Sequence, residues 1–74
     1  MTEEELAEYE YQTRLRKLRM DSPPENTVQA WLYQAKARLE FPQHTTEQKC
    51  LIRAQHSAYE QYLKELKMDE LLDS

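Results

Sequence analysis

Seventy-four residues with a net charge of −4, one cysteine and no glycine make a single small domain, whose own core contributes only about 3–5 kcal/mol net. The missing glycine excludes phosphate-cradling loops of the P-loop and dinucleotide types and tight Asn-Gly turns, and the lone cysteine excludes an internal disulfide framework. No apolar run is long enough to span a bilayer and no basic-then-apolar leader opens the sequence, so the expected location is the cytoplasm.

The first predicted helix covers about residues 3–20. Thr2 and Glu5 have the spacing of a capping box, in which each side chain satisfies the other residue's free backbone amide. Ala7, Tyr11, Leu15 and Leu18 form one narrow apolar stripe, with Leu6, Tyr9 and Met20 on roughly the opposite side, so this helix is expected to dock loosely. Its charges are segregated: residues 1–10 hold five glutamates and no cation, and residues 11–20 hold Arg14, Arg16, Lys17 and Arg19 and no anion. The helix macrodipole favours that order, and Glu10 with Arg14 is a correctly oriented pair one turn apart. At about 100° per residue the four cations surround the helix as a collar instead of forming one stripe.

Pro23 and Pro24 break this helix, and a second is expected over about residues 24–40. Ser22 with Glu25 offers its capping box, with Pro23 at the first helical position and Asn26 as a competing cap. Val28, Trp31, Leu32, Ala35 and Leu39 make its broad apolar face, and Ala30, Tyr33 and Ala37 a weaker one, which suggests more than one neighbour.

Pro42 ends that helix, and Thr45 with Gln48 caps a third over about residues 46–72. Ile52, Gln55, Tyr59, Tyr62 and Leu66 follow heptad-like spacing, widened by Leu51, Ala58 and Leu63. The second helix is too short to cover all of it. Tyr59, Tyr62, Leu63, Leu66, Leu71 and Leu72 are therefore the candidate interface to a second copy or another protein. The expected fold is all-α with three helices. It is either a helical hairpin that pairs with its symmetry mate, the first helix docked outside, or a three-helix bundle in which the first helix covers the overhang of the third.

Site chemistry is sparse. His44, Glu47, Cys50 and His56 are the only cluster with ligand-type side chains, but Cys50 and His56 point about 120° apart on one helix, which disfavours zinc and a Cys-His nucleophile pair alike. No metal, cofactor or membrane is expected. Trp31, Tyr59 and Tyr62 read either as core residues or as anchors of a binding surface. An acidic chain with a dispersed collar is poorly suited to duplex DNA; Arg14, Arg16, Lys17 and Arg19 better suit an acidic protein surface.

The segment YQTRLRKL, through Tyr11, Arg14, Leu15, Arg16 and Lys17, resembles the N-terminal segment of the small helical Hha/YmoA family of gene-expression modulators. A fainter echo of that family's later segment lies in IRAQHSAYE, at a different spacing. The resemblance implies contact with a nucleoid-structuring protein, and it covers too little of the chain to assign the family. The functional expectation is a small non-enzymatic protein, homodimeric through its last helix, that binds and modulates a second protein, as bacterial or phage accessory proteins of this size do. The alternatives are a nucleic-acid-binding transcriptional regulator that uses the basic end of the first helix, and a modulator of a nucleoid-associated protein.

Overall fold

The computed structural model describes residues 2–41 and 43–73, with side chains through Met68. It contains three helices, α1 (Glu3–Asp21), α2 (Glu25–Leu39) and α3 (Thr46–Asp73), and no strand among the described residues.

Local chemistry sets most helix ends. The Glu5 N–H donates to Thr2 Oγ1 at 3.2 Å, closing one half of the first capping box. The box at the start of α3 is complete: the Gln48 N–H donates to Thr45 Oγ1 at 3.2 Å, and the Thr45 N–H donates to Gln48 Oε1 at 3.0 Å. The expected box of Ser22 and Glu25 does not form. Ser22 instead closes α1 in the left-handed region (φ 48°, ψ 54°), its N–H donating to the Leu18 carbonyl at 2.9 Å, and α2 starts behind Pro24 with no side-chain cap. The cause is the proline pair: a residue before proline is kept out of right-handed helical geometry, and without glycine the left-handed turn falls to serine. That conformation costs about 1–2 kcal/mol; the Ser22 hydroxyl offsets part of it by donating to the Arg19 carbonyl at 3.3 Å.

α3 is the centre of the fold. Glu3 lies 3.9 Å from Cys50 at one end of α1, and Arg19 meets Glu65 at the other, so α1 runs parallel to α3. α2 runs antiparallel to both: its start lies by Tyr62, whose hydroxyl donates to the Pro23 carbonyl at 3.4 Å, and Trp31 rests on Tyr59 one turn earlier in α3. α1 and α2 stand apart, with no Cα of one within 8 Å of the other. Cys50 and Glu65, which meet α1, lie about 180° and 120° around α3 from Tyr59, which meets α2. The molecule is accordingly a slab of 44 × 25 × 17 Å, its length set by α3.

One core joins the three helices: Leu15 and Leu18 from α1, Val28 and Ala35 from α2, and Ile52, Ala58, Tyr59 and Tyr62 from α3. Val28 is 0 % exposed, a burial worth about 1.5–3 kcal/mol. Tyr11, Leu32, Leu39, Leu63 and Leu66 pack around it. The apolar stripes expected on α1 and α2 are thus the ones that meet α3.

The α3 seam expected to receive another chain is occupied, as far as Leu66, by the chain's own α1 and α2. Tyr59 and Tyr62 are core residues, and Leu63 and Leu66 pack against the core; the side chains of Leu71 and Leu72 lie outside the described residues. Of the two arrangements weighed from the sequence, α1 lies along α3 within one chain, and as a 19-residue helix, about 28 Å long, it reaches from Cys50 to Glu65 and so covers only the first part of the overhang; Met68 beyond it is exposed. On the weaker face of α2, Ala30 and Tyr33 are exposed and Ala37 is half-buried.

Candidate functional site

Because α1 and α2 diverge across α3, a groove opens between them. α1 supplies Arg14, Lys17, Leu18 and Asp21, the turn supplies Pro23, α2 supplies Trp31, and Tyr59 of α3 forms the floor. Its volume is about 260 Å³, below the usual range for a pocket that encloses a small molecule, and suited to one or two side chains of a partner. The Trp31 and Tyr59 rings are 6.0 Å apart and inclined at 43°. Tyr59 is buried and Trp31 is 38 % exposed, so the indole is held from beneath and open from above. A tryptophan backed by a buried ring and open on its other face is a candidate interface anchor, since large aromatics dominate interface hot spots.

The four cations of α1 do not act together. Arg14 flanks the groove and is held by Glu10, with Nη2 to Oε1 at 2.9 Å. Lys17 lines the groove and makes no ion pair among the described residues. Arg19 turns to α3, where Nε and Nη2 donate to both Glu65 carboxylate oxygens at 3.0 and 3.1 Å. Arg16 is exposed on the side of α1 away from the groove. The collar is thus divided among a groove wall, an interhelical bridge and an outer surface. The groove itself presents two cations and, at its turn end, the carboxylate of Asp21.

The residues with ligand-type chemistry are likewise scattered. Cys50 lies beside Glu3, His56 Nδ1 pairs with Glu60 Oε1 at 2.9 Å, and His44 lies edge-on to Phe41 with ring centroids 6.4 Å apart. No three His, Cys, Asp or Glu residues converge as metal ligands among the described residues. A second, more open groove follows the α1–α3 seam, with Ala7, Tyr11, Cys50 and Ala54 at its base and Glu4, Glu8, Arg53 and Ser57 on its rim.

Sequence reasoning singled out Trp31, Tyr59, Arg14 and Lys17, but on separate grounds, and it did not bring them together. It missed Leu18, Asp21 and Pro23 as groove wall; the available signal was the proline pair, which holds the end of α1 beside the start of α2. It also gave no sign that Arg19 would pair with Glu65, a contact between residues far apart in the chain. No described helix is long and apolar enough to cross a membrane. No protein-family model, curated protein or solved structure matches this chain, and the short resemblance carried by YQTRLRKL gains nothing from those comparisons.

Proposed function

We propose that the chain is a small non-enzymatic helical protein that binds another protein and modulates it, using the groove between α1 and α2. The observation that carries this reading is Trp31, backed by Tyr59 yet open on its outer face, beside a Lys17 ammonium with no carboxylate partner among the described residues. The matching partner segment places an apolar or aromatic side chain on Trp31 and an acidic side chain against Lys17. The nucleic-acid reading has less support, because Arg14 and Arg19 face Glu10 and Glu65 and the four cations present no continuous strip to a phosphate backbone.

Trp31 is the sole tryptophan, so the groove carries its own reporter. A displayed peptide library panned against the full chain should yield acidic, apolar-anchored sequences that change Trp31 fluorescence saturably. Lys17→Glu should weaken their binding by about tenfold, equivalent to roughly 1.4 kcal/mol. Binders that leave Trp31 emission unchanged, or that ignore Lys17→Glu, would place recognition elsewhere and end this reading.

A further inference from the structure

The outward face of α1 holds a second feature, on the side of the helix away from the groove. Glu5, Tyr9, Gln12, Arg16 and Met20 fall on one stripe at about 100° per residue, and all five are exposed. Tyr9 is 64 % and Met20 76 % exposed, among the largest uncovered apolar side chains of the fold. Macrodipole preference accounts for acids early and bases late in the helix, but not for a tyrosine and a methionine on the same open stripe. Arg16 is also the collar cation that neither lines the groove nor makes an ion pair among the described residues.

We propose that this stripe is the interface to a second copy of the chain, the two α1 helices packing antiparallel about a twofold axis near Gln12 and Thr13. Charge complementarity selects the occupant. The stripe is acidic at its start and basic at its end, so reversing one copy sets Glu5 of each against the basic end of the other. A parallel pair would place like charges opposite each other. In the antiparallel register Arg16 of one copy lies over Tyr9 of the other, where a guanidinium is attracted to the ring face, with Glu5 of that copy one helical turn away. Met20 covers the opposite end of the same seam. Twofold symmetry makes every contact twice, as an isologous interface requires. The α3 seam as far as Leu66 is occupied within the chain, and the inference is independent of the groove because it uses another face of α1.

The test uses two charge reversals in the full chain, Arg16→Glu and Glu5→Lys, each checked for unchanged helix content by circular dichroism. Sedimentation equilibrium of the native chain should show a monomer–dimer equilibrium that weakens with added salt. Each variant alone should dimerise about tenfold or more weakly, since it brings like charges together twice. An equimolar mixture of the two should recover association, because every contact in the mixed pair is again between opposite charges. A native chain that stays monomeric at high micromolar concentration would overturn the proposal. So would a dimer indifferent to both substitutions, or variants that fail to rescue each other on mixing.

Discussion

The two helices that flank α3 are held in different ways. α2 is held by apolar packing along its length: Val28 and Ala35 are buried, Leu32 and Leu39 lie against the core, and Trp31 rests on Tyr59. α1 places its buried side chains, Leu15 and Leu18, only in its second half, and its further contacts with α3 are the Arg19–Glu65 bridge, the open seam around Ala7 and Tyr11 and the approach of Glu3 to Cys50. Hydrophobic burial is not screened by salt, whereas an exposed ion pair is. The comparison teaches that α2 is held mainly by apolar contacts along its length, whereas α1 combines a buried anchorage in its second half with polar contacts to α3 at both ends, its outward face remaining open. Both proposed contacts, the groove and the outer stripe, involve α1.

The largest expected effect would abolish the contrast. Tyr59→Ala removes the residue on which Trp31 rests and leaves a cavity at the centre of the core, at a cost of about 3–5 kcal/mol. That equals the whole net stability expected of a domain this size, so the variant should lose its cooperative thermal transition in circular dichroism. A well-folded Tyr59→Ala chain would show that the core does not depend on this residue.

A second substitution separates the two flanks. Leu18→Ala should cost about 2–5 kcal/mol, and because Leu18 is one of only two buried side chains in α1, the loss should fall mainly on that helix. Hydrogen exchange should then accelerate across α1 while amides of α2 and the facing part of α3 keep more of their protection. Equal acceleration in all three helices would mean that the fold opens as one unit.

The smallest effect concerns the bridge. The Arg19 and Glu65 side chains are 55 % and 31 % exposed, so Arg19→Ala should cost only about 0.2–1 kcal/mol, read from chemical denaturation, despite the bidentate geometry. The difference from the native chain should shrink as salt is added. A larger, salt-independent loss would point to packing by the arginine stem as the main contribution.

Much of this architecture is legible in the sequence because helix ends are decided locally. Thr2 and Thr45 cap their helices by reaching three residues ahead, and the prolines break helical geometry whatever the rest of the chain does. The exception at Ser22 is instructive. Its spacing to Glu25 suits a capping box, but the two prolines between them commit Ser22 to closing the preceding helix. The apolar stripes of α1 and α2 are also readable, since side chains one helical turn apart share a face.

The sequence does not specify how far apart α1 and α2 stand around α3, which depends on contacts between distant residues. That separation decides that Trp31 keeps an open face over Tyr59, that Lys17 lines a groove while Arg16 faces away, and that Arg19 finds Glu65. It also decides that Tyr59, Tyr62, Leu63 and Leu66 pack within the chain, although their spacing pointed to an interface with a second copy or another protein. Local chemistry determined three helices and their ends; only tertiary packing determined which face of each would be covered and which would remain open.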